Sequence, residues 1–99
     1  MEIIKTDTFS KWLKSLKDKK AIITITGALE TLDRPSKKIK PIRKGIKEYK
    51  IDYGPGYRIY FTERNGTIFI ILAGGDKSSQ DKDIKKAEIL LEEFTDEFK

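Results

Sequence analysis

The chain has 99 residues, 37% of them apolar and 37% charged, and 21 Lys and Arg against 16 Asp and Glu leave a net charge of +5. That length makes one domain, residues 1–99, with one modest core, and the charge is a mild bias toward anionic partners. With neither Cys nor His, disulfides, thiolate chemistry, imidazole bases and zinc sites are excluded, and no metal or cofactor is expected.

The opening MEIIK reads as a short apolar edge strand. It lacks the apolar core of a signal peptide, and no apolar run approaches the about 18 residues of a membrane span. A cytoplasmic protein that makes no membrane contact is expected. Thr6, Asp7 and Thr8 offer helix caps, and Phe9, Trp12, Leu13 and Leu16 follow at the spacing of one helical stripe. Lys17 to Lys20 close that helix. The next run, AIITITGALETLDRP, carries two signals. Its Ile and Thr content favours a strand locally, whereas Ile22, Ile25, Leu29 and Leu32 fall at helical spacing. The period predicts a second helix packed antiparallel on the first, stopped before Pro35, with a strand over Ala21–Thr26 as the alternative.

Residues 36–47 read as a basic connector carrying Lys37, Lys38, Lys40, Arg43, Lys44 and Lys47, broken by Pro41 and Gly45. Such a segment either tracks a nucleic-acid backbone, with affinity that falls as salt rises, or is a solvated loop. Three strands are expected next, at about residues 46–53, 57–63 and 67–73. Gly54-Pro55-Gly56 joins the first two, and Asn65-Gly66, a strong hairpin signal, joins the last two. Ile68–Leu72 is apolar without alternation, as a central strand covered on both faces would be. Gly74-Gly75 reads as its exit, Ser78 or Ser79 as a cap, and residues 80–98 as a helix with Ile84, Ala87, Leu91, Phe94 and Phe98 in one stripe. The expected architecture is α+β: two N-terminal helices, a three-stranded antiparallel meander with a short N-terminal edge strand, and a C-terminal helix.

Strand alternation groups the side chains by face. Glu48, Lys50 and Asp52 share one side of the first meander strand, and Arg58 and Tyr60 form the polar set on the second. Lys50, Arg58 and Tyr60 on one partly covered face can hold a phosphodiester, Arg58 by its fork and Lys50 as a point charge. Alternatively Glu48 and Asp52 neutralise the two cations on a solvated face. The segment after the central strand is not a phosphate-binding loop of the G-K-[ST] kind. Capping accounts for its serines and acidic residues but leaves Lys77 unexplained.

At this point the pattern is recognisable. The run from Tyr49 to Phe61, containing GPGYR-x-YF, is followed by Gly74-Gly75-Asp76-Lys77-Ser78-Ser79-Gln80, Asp83-Ile84 and Ala87. It resembles the RelE/ParE superfamily of toxins, in the branch of addiction-module killer proteins related to HigB. The resemblance implies the toxin of a type II toxin–antitoxin pair, with a small helix-turn-helix antitoxin as partner. It implies a metal-independent endonuclease that cleaves mRNA on the ribosome, an mRNA interferase, in which Lys50, Arg58 and Lys77 are catalytic. Tyr57, Tyr60, Lys47, Arg43 and Lys44 would bind substrate. RelE itself places a tyrosine on the last helix, near Asp83 here, and HigB-type enzymes use histidines that this chain lacks; Tyr60, Tyr57 or a lysine is left for proton transfer. ParE-like members share the fold and inhibit DNA gyrase without cleaving, and an attenuated toxin acting mainly in its antitoxin complex is a third possibility.

Overall fold

A computed structural model describes residues 1–97, with side chains to Phe94. In chain order the elements are β1 (Glu2–Lys5), α1 (Asp7–Ser15), α2 (Lys19–Leu29), β2 (Ile39–Arg43), β3 (Ile46–Ile51), β4 (Tyr57–Arg64), β5 (Ile68–Asp76), a single 3₁₀ turn (Lys77–Ser79) and α3 (Gln80–Glu97). Phe98, expected at the end of the last helical stripe, lies outside the described residues. No helix among them is long and apolar enough to cross a membrane.

The sheet corrects the expected fold. It is five-stranded and mixed, in the order β1-β5-β4-β3-β2, where a three-stranded antiparallel meander with a short N-terminal edge strand was expected. β2 comes from the basic connector and pairs antiparallel with β3, Ile39 opposite Tyr49 and Pro41 opposite Lys47. Lysines and a proline had argued against a strand there. On a sheet edge both are tolerated, because an edge strand has one side of its ladder free and gains from charges that discourage further pairing. A tight turn makes the hairpin possible: Lys44 and Gly45 have φ of 54° and 82°, the left-handed pair that a two-residue hairpin loop requires. β1 is the opposite edge and runs parallel to β5, with Glu2 opposite Ile68 and Lys5 opposite Ile71.

Helices cover both faces. α1 and α2 pack on one, burying Phe9, Ala21, Ile25, Leu29, Ile59, Phe61, Phe69 and Ile71 together. α3 packs on the other, over Ile46, Tyr60, Ile70, Leu72 and Ala73, with Ile84 and Ala87 turned inward. Over Lys19–Leu29 the helical period prevails over the β preference of Ile and Thr: Ala21, Ile25 and Leu29 are the buried residues, one stripe at i, i+4, i+8. Asp18 starts this helix by accepting from the Lys20 and Ala21 amides.

One irregularity positions everything that follows. Tyr60 pairs with Ala73, but Phe61 pairs with Ile71, so β5 carries an extra residue at Leu72. Leu72 and Ala73 therefore both face α3. Thr6 ties this bulge to the start of α1. Its amide donates to the Ile71 carbonyl at 3.1 Å, its hydroxyl donates to the Leu72 carbonyl at 2.7 Å, and the same oxygen accepts from the Phe9 amide at 3.0 Å. Past the bulge the strand continues to Asp76, so Gly74 and Gly75 lie inside it rather than at its exit. Each is approached from a different face. A Cβ on Gly74 would lie 2.5 Å from the Trp12 ring, and one on Gly75 would lie 1.8 Å from the Asp83 carboxylate. Glycine is required at both because helices from the two layers press on the strand there.

Candidate functional site

The site is a corner of the α3 face built from β3, β4, β5 and the first turn of α3. Sheet register sets its rows. Lys50, Arg58 and Gly75 are cross-strand neighbours in one row, and Glu48, Tyr60 and Ala73 in the next. Successive rows at a spacing of two residues put these side chains on one side of the sheet. Lacking a Cβ, Gly75 lets the α3 turn come close enough for Asp83, buried and accepting from the Ser79 hydroxyl at 2.6 Å, to lie against the strand.

Arg58 is the centre of this corner. Its side chain is 11% exposed, and its Nε donates to Oε1 of Glu48, only 2% exposed, at 3.1 Å. The second Glu48 oxygen accepts from the Gln80 amide nitrogen at 3.2 Å. The two Nη groups of Arg58 make no hydrogen bond among the described residues. The guanidinium is thus anchored by its Nε edge, and the fork of its two terminal amino groups matches a phosphate or carboxylate. Beside it, the Tyr60 hydroxyl is buried and has no hydrogen-bond partner among the described residues. Burial pushes the Tyr60 phenol well above its ordinary range; Glu48 and Asp83 add to that and Arg58 opposes it, so the group stays protonated and is a donor.

The other predicted site residues divide clearly. Lys50 is half exposed, 3.8 Å from Asp52, which also pairs with Lys38 at 2.8 Å. The Lys38 contact holds the Asp52 carboxyl below its usual range. Lys77 opens the 3₁₀ turn two residues after Gly75 and lines a cleft of about 530 Å³ with Ser78, Ser79, Gln80, Asp81 and Lys82. It forms no ion pair among the described residues. Lys50, Arg58, Tyr60 and Lys77 therefore gather at one end of the sheet. Tyr57 does not: it is buried on the opposite face, its ring edge-on to Trp12 at 6.0 Å. Lys47 also points away, bonded to Glu63 at 2.6 Å beside a cleft floored by Leu32, Ile39, Phe61 and Phe69. Arg43 and Lys44, at the β2–β3 turn, clasp Glu88 of α3, the Lys44 contact being 3.3 Å. Glu88 lies eight residues beyond Gln80, about 12 Å along the helix, so the two basic groups are separate. Burial raises the Glu88 carboxyl, but Lys44 and Arg43 outweigh it and hold the group below its usual range.

Glu48, Gln80, Ser79 and Asp83 were not singled out as site residues from the sequence. The signal for Glu48 was its place two residues before Lys50, which puts a carboxylate on the same face as Arg58. Gln80 carried a weaker one, three residues after Lys77 at the start of a helix. Among the described residues no group of three His, Cys, Asp or Glu is arranged to hold a metal ion. The corner holds one oriented guanidinium, with Lys50 opposite it on the neighbouring strand, Lys77 at the turn after β5, and the Glu48 and Asp83 carboxylates on the same face.

These features define a small basic α+β protein whose anion-binding candidate sits where a three-strand row meets a helix start. Over 95 residues the chain is 44% identical to an uncharacterized protein of Haemophilus influenzae, a match that spans 95% of this chain and 96% of that one. It belongs to the same family as that protein. No family model matches the chain.

Proposed function

We propose that this protein is the toxin of a type II toxin–antitoxin pair, a member of the RelE/ParE superfamily, and that it cleaves mRNA on the ribosome in the cytoplasm. The observation that carries the reading is the row of Lys50 and Arg58 beside the Lys77 turn, with the Nη groups of Arg58 making no hydrogen bond among the described residues. In the proposed reaction the 2′-oxygen of a nucleotide bonds to the adjacent phosphorus and the bond to the 5′-oxygen breaks. The 2′-hydroxyl loses its proton, the 5′-oxygen gains one, and a 2′,3′-cyclic phosphate and a 5′-hydroxyl are left. Arg58 stabilises the charge that develops on the phosphorane oxygens, where preorganised donors contribute most. Lys50 supplies a second cation from the neighbouring strand, and Lys77 serves the leaving-group side. A small helix-turn-helix antitoxin is the proposed partner.

A second reading, a toxin that blocks DNA gyrase and cuts nothing, has one observation in its favour: Glu48 already neutralises Arg58. The experiment is induction of the chain in growing cells with the 5′ ends of cellular mRNA mapped by primer extension. New ends within translated codons are expected, and Lys77→Ala and the double variant Glu48→Leu with Arg58→Met, which leaves no buried charge unpaired, abolish them and relieve growth arrest. Intact mRNA with trapped gyrase during arrest supports the second reading and ends the first; harmless overexpression ends both.

A further inference from the structure

Two features that cost stability meet in the corner around Arg58. A buried Arg–carboxylate pair gains little over apolar residues of the same volume, because both ions lose their hydration. Beyond this corner the face that α3 covers buries Ile46, Ile70, Leu72, Ala73, Ile84 and Ala87, and Leu or Met at positions 48 and 58 would suit it. The buried Tyr60 hydroxyl beside the pair, without a hydrogen-bond partner among the described residues, is a second cost at the same place. Sites that carry such costs together are held for what they orient.

We infer that Glu48 is the positioning residue of Arg58, and that Gln80 couples this setting to the docking of α3 on the sheet. A free arginine side chain samples many rotamers. Here Glu48 takes the Nε edge at 3.1 Å, which leaves only the terminal amino groups to meet an anion. The Gln80 amide holds the other carboxylate oxygen at 3.2 Å, so the carboxylate is fixed from the helix as well. Gly75 and Asp83 fix how closely that helix turn approaches. Glu48 is 2% exposed and therefore acts through Arg58 rather than on a ligand itself. The inference rests on the reading of Arg58 as a phosphate ligand.

Two measurements on Glu48→Gln, Glu48→Ala and Gln80→Leu test it. The first is the order and exchange protection of the Arg58 Nε–H by nitrogen-15 NMR, which needs no activity. The second is cleavage of mRNA in a purified translation system, resolved into kcat and KM. Glutamine still accepts from Nε, so Glu48→Gln keeps the ordered signal and cleaves within a few-fold of the native chain. Glu48→Ala loses the signal and falls by on the order of a hundredfold in kcat, the cost of a misplaced catalytic group. Alanine at 48 strands a buried guanidinium and can unfold the chain. Gln80→Leu, which keeps both charges but frees the second Glu48 oxygen, guards against that: its Arg58 Nε–H exchanges faster than the native one and its kcat falls less than that of Glu48→Ala, and unchanged exchange and kcat overturn the coupling to α3. If Glu48→Gln is as inactive as Glu48→Ala while its Nε–H stays ordered, Glu48 is a base and the inference is wrong. It is equally overturned if both variants cleave faster, since Glu48 is then only a blocking counter-charge. Should the native chain cleave nothing, the proposed function fails, and the NMR measurement alone decides the positioning role.

Discussion

The two faces of the sheet are built on different terms. Under α1 and α2 the buried groups are apolar, and the polar ones at the margin are satisfied: Thr6 by the β5 bulge, Asp18 by two helix amides and the Tyr53 hydroxyl at 3.0 Å. Under α3 the apolar floor gives way at one end to Glu48, Asp83, Arg58 and a phenol, Tyr60, with no hydrogen-bond partner among the described residues. Hydrophobic burial alone organises the first face. The second spends part of that burial on charged groups that packing would not select. The helix that lies over ions is therefore the one to look to for function, and the pair of N-terminal helices is the scaffold.

Breaking the ion pair should give the largest effect. Arg58→Ala leaves the buried Glu48 carboxylate without its partner and is expected to lose about 3–5 kcal/mol of stability, together with any phosphate binding. The double variant Glu48→Leu with Arg58→Met removes both charges and should unfold at an equal or higher urea midpoint; a large loss of stability would make the pair structural. Gly75→Ala comes next. Its methyl meets the Asp83 carboxylate, so the α3 turn must lift, at about 1–3 kcal/mol, and the Arg58 Nε–H should lose its protection from exchange. An unperturbed α3 in the variant's NMR spectrum would contradict the packing argument. Tyr60→Phe is expected to raise stability by about 1 kcal/mol, since it deletes a buried hydroxyl that has no hydrogen-bond partner among the described residues. A loss on thermal unfolding would mean that the hydroxyl is satisfied by water.

The smallest effect concerns pH. The Tyr53 hydroxyl bonded to Asp18, the Lys38 contact with Asp52, and the Ser78 hydroxyl and amide on Asp76 hold these carboxyls below their usual range. Each binds its proton less tightly folded than unfolded. Their contribution is present above the ordinary carboxylate range and is lost as pH falls through the lowered folded values. The groups are exposed, so the slope is shallow. Melting temperatures measured from pH 5 down to pH 2 should decline, and Asp18→Asn should flatten part of that decline.

Much of this contrast was legible in the sequence, and what was hidden was hidden for physical reasons. Period 3.6 located Phe9 and Trp12 on a buried helical face, and period 2 put Lys50, Arg58 and Tyr60 on one side of the sheet. Tyr57 falls on the other side by the same alternation, next to Trp12. β2 was masked because Pro41 and the lysines that suit an edge strand also suit a loop. The partner of β1 was out of reach, since parallel pairing depends on the whole chain between the strands and not on a local signal. Glu48 looked like a surface counter-charge because composition does not show that a helix covers it. Gly74-Gly75 read as a chain exit because the pressure on each glycine comes from residues distant in sequence, Trp12 on one side and Asp83 on the other.

The parallel pairing of β1 with β5 has a temporal consequence. During synthesis the first strand has no neighbour to bond with until residues 68–76 have left the ribosome, and the Thr6 cap must wait for the same carbonyls. Joining segments so far apart in the sequence is slow compared with forming helices or hairpins. The hairpins of β2 to β5 can assemble beforehand, but the sheet is completed only when its earliest strand docks beside its latest. A nascent chain is thereby kept from its finished form while the ribosome that makes it is still at work.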